Sequence, residues 1–362
     1  MNRYEAMSAI TGRMKRITEA ASGTFTARLN HRISRLEADT FRQRVIEKTG
    51  KRTVDRSLKK HIKAVCRQRF GSSGYWHWLA LYTEMRGEFH ENWLPVDFYR
   101  FTLLPKWNSF SEASLYKTFD YQLFGDFAIR PVLRIVDGSA FGYDGAFIKS
   151  DILKEYLRER FAEVVVKIDS GRSGSGTFFL DTGNIRIEEL LKHRSCIIQP
   201  VLKQHKFHQS LSGSSVNTMR ITTFLDENGI VNILFVKQKF GMEGSRIDHL
   251  GSGGMFIKLN DRGESVTNAI GAYGAGQLDV HPEHKFRFRG LRVPGYHSAV
   301  ERCMEAHLKF PYTRIIGWDV AIDEAGEPKL VEWNARRPGI WLDEALFGPH
   351  WQGKGNSLRV RP

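Results

Sequence analysis

Cysteine is scarce in this chain, with Cys66, Cys196 and Cys303 the only three in 362 residues. They are far apart, odd in number and in no CxxC spacing, which argues against a disulfide framework and a thiolate zinc site and leaves them as small buried hydrophobes. Long apolar runs are missing as well. No stretch approaches the roughly 18 to 20 consecutive apolar residues that span a bilayer. The opening MNRYEAMSAITGRMKR lacks the apolar segment of a secretory signal, so the expected location is the cytoplasm. There is no G-K-[ST] phosphate loop, no Ser/His/Asp or Cys/His series suggesting a protein nucleophile, and no internal repeat. Acidic residues are also in short supply, at 40 against 54 Lys and Arg.

What is present is the composition of a folded protein, 41% hydrophobic and 12% aromatic, in a chain long enough for two or three lobes. The positive charge is unevenly placed. Residues 1–70 hold 18 Lys and Arg against 6 Asp and Glu, leaving a net +2 for the other 292 residues. Within them, VDRSLKKHIKAVCRQR (Val54 to Arg69) carries Leu58, Ile62, Val65 and Cys66 at helical spacing. Residues 1–75 are therefore expected as a basic helical N-terminal arm, which either binds a polyanion or an anionic surface or is a solvated helical face.

Beyond the arm, an aromatic helical stretch with Trp76 and Trp78 opens a mixed region expected over 76–160. A β-branched run, EVVVKI, then a Gly/Ser loop and TFFLD, a helical RIEELLKH and a strand SCIIQPVL suggest a small lobe over 161–200. NTMRITTF, VNILFVKQKF, a helix near Ser298 to Leu308 and a last hairpin suggest a second lobe over 201–362. This order indicates α+β rather than a doubly wound parallel sheet.

The last hairpin, GWDVAIDEAGEPKLVEWN, has the densest chemistry. If Ile322 faces Lys329 across a symmetric loop, Asp319 lies opposite Glu332 and Asn334 joins them on one face. Trp318, Val320, Ile322, Val331 and Trp333 then form an apolar face. Paired carboxylates repel unless a proton or cation lies between them, and two carboxylates with an amide oxygen suit Mg²⁺. The alternative is a solvated edge with incidental acids. Lys167 ends a strand just before DSGRSGSG, where it can hold a phosphate as a point charge while glycine N–H groups close over it, although such a loop is also an ordinary turn. Gln199 and Pro200 interrupt a strand, which frees backbone groups for an adenine edge or simply ends the strand. Arg220 alternates onto the polar side of its strand, either solvated or as a bidentate phosphate clamp.

Taken together, a lysine before a glycine flap, a hinge strand, an NT-x-R strand and a terminal D…E-x-N hairpin resemble the ATP-grasp superfamily. SSVNTMRITTF, IDHLGSGG and GWDVAID…LVEWNARRPG look like its sugar-transfer-associated family. The resemblance runs from about Tyr116 to Gly339. It implies an ATP-grasp fold with two α+β lobes clasping a nucleotide, and ATP and Mg²⁺ as cofactors. By the same resemblance Lys117 and Lys167 are the two ATP lysines, and Ser170, Gly171, Gly174 and Gly176 lie in the loop over the triphosphate. Gln199 and Val201 form the adenine hinge, and Asp319, Glu332 and Asn334 hold the metal. Arg220 and Lys239 would stabilise reaction charge, and Arg336 or Arg337 would hold a substrate carboxylate. Asp248, His249, Gly253 and Gly254 match a substrate-side VDN…GG motif. His249 stands where that motif has Asn, and Lys239 where the family more often has Arg. The implied activity is ATP-dependent joining of a small-molecule carboxylate and an amine through an acyl phosphate, in natural-product or polysaccharide-related biosynthesis. The rival expectations are phosphoryl transfer to a hydroxyl and a nucleotide-gated polyanion-binding protein.

Overall fold

The computed structural model describes residues 23–169, 176–241, 244, 246, 248, 253–271, 277–282 and 284–351. The chain divides into two units, residues 1–107 with 339–362, and residues 108–338.

The first unit is helical. Helix α1 spans Gly23–Thr49, α2 spans Arg56–Phe70 and α3 spans Trp76–Arg86. Asp55 starts α2 by accepting the Leu58 N–H at 2.7 Å, and Gly71 ends it in the left-handed conformation at φ 76°. Residues Trp78 to Thr83 of α3 are all buried, so this helix is enclosed on every side. Trp78 donates its indole N–H to Ser34 of α1 at 3.0 Å. The segment expected as a basic arm is, from residue 56 to 70, a packed helix of this unit, because Ile62, Val65 and Cys66 turn inward and only the opposite face carries charge. The cations of that neighbourhood gather on an aromatic ring: Lys59, Lys63 and Arg42 lie 4.3, 5.3 and 5.9 Å from the Trp76 centroid.

The second unit is α+β and contains two antiparallel sheets. The first sheet comprises β1 (Leu133–Val136), β2 (Ser139–Gly142), β3 (Phe147–Ile148), β4 (Glu163–Ile168), β5 (Thr177–Asp181) and β6 (Ser195–Pro200), in the order β3-β2-β1-β6-β4-β5. One face is apolar. Val164, Val166, Cys196 and Ile198 pack there against Leu153 and Leu157 of α4 (Ser150–Arg158) and Ile187 and Leu190 of α5 (Ile187–Lys192). Alternation places Val165, Lys167 and Gln199 on the other face.

The second sheet comprises β7 (Met219–Leu225), β8 (Val231–Phe240), β9 (Met255–Leu259), β10 (Ala269–Ile270), β11 (Gln277–Leu278), β12 (Ile315–Ile322) and β13 (Pro328–Asn334), in the order β11-β10-β9-β8-β7-β12-β13. Helix α6 (Tyr296–Lys309) contributes Ala299, Cys303 and Ala306 to a core with Met219, Ile221, Trp318, Val320 and Trp333. Small helix residues bring α6 close to the large indoles on the strands. All three cysteines are buried free thiols. No helix among the described residues is long and apolar enough to cross a membrane.

The last hairpin forms with one correction. Asp319 pairs with Glu332 as expected, but Ile322 pairs with Pro328 and the register shifts between Asp319 and Val320. The shift leaves Val331 as the extra residue of a β-bulge, and Leu330 takes the core position that simple alternation gave to Val331.

Candidate functional site

The register of the second sheet assembles the site. Lys237, Arg220, Asp319 and Glu332 are successive cross-strand neighbours on β8, β7, β12 and β13, forming a row that runs from cations to carboxylates. In the next position along β12 on that face stands Gly317, paired with Asn334. The missing side chain matters, because a Cβ there would lie 3.2 Å from Nη1 of Arg220. Arg220 thus lies over Gly317 and grips Asp319 with both arms, Nε to Oδ1 at 2.8 Å and Nη2 to Oδ2 at 2.6 Å. Lys239 Nζ stands 3.0 Å from Asp319 Oδ1 and 3.1 Å from Asp248 Oδ1. Asp248 Oδ2 accepts the Thr218 N–H at 2.8 Å and its hydroxyl at 2.5 Å.

This is a buried, mutually neutralising cluster. Burial pushes the Asp319 carboxyl upward, but Arg220 and then Lys239 outweigh it and hold it well below the usual carboxylate range. Burial likewise works against the charge of Lys239, and Asp248 and Asp319 overcome it to raise its pKa. Asp319 also takes the Asn334 amide N–H at 3.3 Å, so four donors surround its two oxygens. Glu332 differs. Its carboxylate makes no hydrogen bond or ion pair among the described residues, and the residue is half-buried at the end of the row.

The two candidate ATP lysines are both buried. Lys167 reaches out of the first sheet to the bulge and donates to the Val331 carbonyl at 2.8 Å. The bulge is therefore the point where the two sheets meet through a lysine. Burial depresses Lys167 to about 8, against the raising influence of Asp120 and Glu332. Asp120, three residues after Lys117, accepts the Trp333 indole N–H at 2.8 Å. Burial lifts its carboxyl to about 7, opposed by that hydrogen bond and by Lys167 and Lys117. Asp169, next to the loop, is held by Thr118 and Ser195.

Beside these groups opens a cleft lined by Val165, Lys167, Phe179, Gln199, Val201, Leu202, Thr218, Asp248, Arg246 and Val331, among others. Two cross-strand rows lie on this face of the first sheet, and all their members but Ile197 line the cleft. Gln199, Val165 and Phe179 form one, and Ile197, Lys167 and Thr177 the other. Gln199 donates its amide N–H to the Ile129 carbonyl at 2.9 Å, which fixes the amide, while its Oε1 is buried without a hydrogen-bond partner among the described residues. Strand β6 stops at Pro200, which has no N–H to continue the ladder.

The structure thus brings together Lys167, Gln199, Val201 and Asp248 around the cleft, and Arg220, Lys239, Asp319, Glu332 and Asn334 beside it. Gly176 accepts the Ile168 N–H at 2.8 Å at the base of the loop, whereas Ser170, Gly171, Gly174 and His249 lie outside the described residues. Gly253, at φ 90°, and Gly254 lead into β9. Arg336 is paired with Glu112 at 2.8 Å and Arg337 is exposed. Sequence reasoning did not find Val331, Asp120, Arg246 or Thr218. Asp120 is an acid three residues from Lys117, which is a faint signal; a bulge carbonyl leaves none.

The oxygen donors of Glu332, Asn334 and Asp319 share one face and fit a hard divalent cation, with Glu332 the least committed of them. The arginine and lysine on Asp319 balance its charge within the protein itself.

Residues 190–349 match the family described as Sugar-transfer associated ATP-grasp. The match takes in the hinge, the charge cluster and the hairpin, and begins after Lys117 and Lys167. No curated protein sequence matches the chain. Among solved structures, an L-amino acid ligase from Bacillus licheniformis is 13% identical with a TM-score of 0.40, over 68% of this chain and 48% of its own. The D-cycloserine synthetase DcsG is 14% identical with a TM-score of 0.39, over 68% and 71%. D-alanyl-alanine synthetase A from Vibrio cholerae is 11% identical with a TM-score of 0.37, over 69% and 66%. The chain spans about half the length of the first of these. Over residues 190–349, less than half of the chain, the protein is thus similar to the Sugar-transfer associated ATP-grasp family.

Proposed function

We propose that this protein is an ATP-dependent carboxylate–amine ligase that uses ATP with Mg²⁺ and forms an amide through an acyl phosphate. The single observation that carries the reading is the charge cluster, in which Arg220 and Lys239 grip Asp319, the cross-strand neighbour of Glu332, beside the cleft that Lys167 and Val331 line. The base of ATP would lie in the row of Gln199, Val165 and Phe179, where the unpartnered Gln199 Oε1 offers an acceptor to the adenine amino group. The triphosphate would extend toward Lys167, which can exchange the Val331 carbonyl for a phosphate oxygen, and toward Lys117. Glu332, Asn334 and Asp319 would hold Mg²⁺. When bound, Mg²⁺ supplies positive charge that offsets the charge developing on the transferred phosphoryl group.

The carboxylate of the substrate attacks the γ-phosphorus, ADP leaves, and the amine then displaces phosphate from the acyl phosphate. Arg220 and Lys239 are placed to stabilise negative charge in both steps, because Asp319 and Asp248 keep both side chains charged and fixed in a water-poor site. Neither step needs a protein nucleophile. A ligase is favoured over a kinase by the state of Asp248. A hydroxyl acceptor benefits from a base for its proton, and of the two candidates, Asp248 and His249, both oxygens of Asp248 are engaged by Lys239 and Thr218, whereas a carboxylate acceptor arrives ionised. The biosynthetic setting, in natural products or polysaccharides, is part of the same proposal.

The test is product analysis with a panel of carboxylic acids and amines. ADP, phosphate and a new amide should appear in equal amounts, and Glu332→Gln should abolish them. A phosphorylated acceptor in place of the amide points to the kinase, and near-normal ADP formation by Glu332→Gln removes the hairpin from the metal site.

A further inference from the structure

The cleft has a side chain at its far end that the phosphate and metal chemistry does not use. Arg246 follows β8 on the segment that also carries Asp248, and it crosses to the first sheet. Its guanidinium carbon lies 3.4 Å from the centroid of Phe179, which is stacking distance. Both arms pair with Glu163, Nη1 to Oε1 at 2.6 Å and Nη2 to Oε2 at 2.8 Å. Glu163, Val165 and Lys167 share one face of β4, so Glu163 stands about 13 Å from Lys167 at the usual rise of a strand. That separation is close to the length of an extended nucleoside triphosphate. If Lys167 marks the phosphates, Arg246 marks the base, beside Phe179, which lies across β4 from Gln199.

We propose that Arg246 is a nucleobase-binding residue, a planar cation stacked on Phe179 and anchored by Glu163, that walls the base end of the cleft. The proposal rests on the nucleotide reading of the cleft. A guanidinium suits the role because it is flat, weakly hydrated and able to hold a carboxylate with one edge while offering its face to a ring; a lysine ammonium offers no such face. Asp248, two residues further on, is fixed by Lys239 and Thr218. One short segment therefore reaches both the base end and the charge cluster, and an occupied base site helps to hold Asp248 in place.

The test compares ATP, by calorimetric titration in the presence of Mg²⁺, with adenosine, by ligand-observed NMR. The proteins are the intact chain, Arg246→Ala, Arg246→Lys, Glu163→Gln and Lys167→Ala, each checked for an unchanged melting temperature. Arg246→Ala should weaken ATP and adenosine by the same factor, on the order of tenfold. Glu163→Gln should show a smaller loss for both ligands, Arg246→Lys should not restore binding, and Lys167→Ala should weaken ATP alone. Unchanged or tighter ATP binding by Arg246→Ala overturns the proposal, the latter because it would make Arg246 a plug. A loss for ATP without one for adenosine, or no adenosine binding by the intact chain, also overturns it while leaving the nucleotide site standing. Absence of ATP binding by the intact chain overturns the nucleotide reading itself.

Discussion

Replacing Asp319 by Asn leaves Arg220 and Lys239 buried with one carboxylate, Asp248, between them. Removing one partner of a buried ion pair typically costs about 3 to 5 kcal/mol, because the remaining charge has lost its compensation. Asp319→Asn should therefore lower the unfolding free energy by roughly 3 kcal/mol in urea titrations. A change below about 0.5 kcal/mol, the range of ordinary surface substitutions, would mean that the cluster is better hydrated than it looks. Lys167 gives a second prediction. With its pKa depressed to about 8 by burial, the ammonium is present below that pH and lost above it. ATP affinity should fall as pH rises through 8, and Lys167→Arg, which keeps its charge, should flatten the profile up to the alkaline limit of folding. A flat profile for the unaltered protein would show that Lys167 is not a phosphate ligand. The placement of Asp319, Glu332 and Asn334 on one face of the hairpin and of Arg220 on the polar side of its strand was legible from strand alternation, and that of Lys167 from its position at the end of a strand before a glycine loop. Asp120 and Arg246 were not, since each acquires its partner through a tertiary contact: Asp120 with Trp333, Arg246 with Phe179 and Glu163.

The terminal hairpin illustrates how far a strand pattern reaches. The face of Asp319 and Glu332 was readable because the side-chain period of a strand is two. The bulge was not, because it depends on the pairing of two backbones, and it changed the roles of Leu330 and Val331. Its effect is to offer the Val331 carbonyl to Lys167, linking the element that carries the metal candidates to the sheet that carries the nucleotide candidates. Gly317 is the complementary device. Gly317→Ala places a methyl group 3.2 Å from Arg220 Nη1, tight enough to disturb the fork without unfolding the sheet. Turnover should drop at least tenfold with a stability loss of about 1 kcal/mol, within the range for a crowded core position. Kinetic assays beside thermal melts distinguish this from simple unfolding. Unchanged turnover would show that the Arg220 fork can shift without consequence.

At the scale of the whole molecule, the α+β order of the second unit followed from the succession of strands, and the helical nature of residues 56–70 from apolar spacing. Their packing into a helical unit with residues 339–351 joins distant parts of the chain, which periodicity does not report. The positive charge of that unit can be tested separately from the chemistry. If the exposed Lys60 and Arg67 of α2 meet an anionic polymer, Lys60→Glu with Arg67→Glu should weaken polyphosphate binding and flatten its salt dependence while leaving ATP turnover unchanged. Salt-independent binding would leave that face without a polyanion role. The central claim is that a substrate carboxylate is activated as an acyl phosphate, and hydroxylamine tests it directly. Incubated with the protein, Mg²⁺, ATP and a panel of carboxylic acids, it should trap a hydroxamate in amounts matching the ADP released, for at least one acid. A stable phosphate ester with ADP and no hydroxamate would contradict the claim.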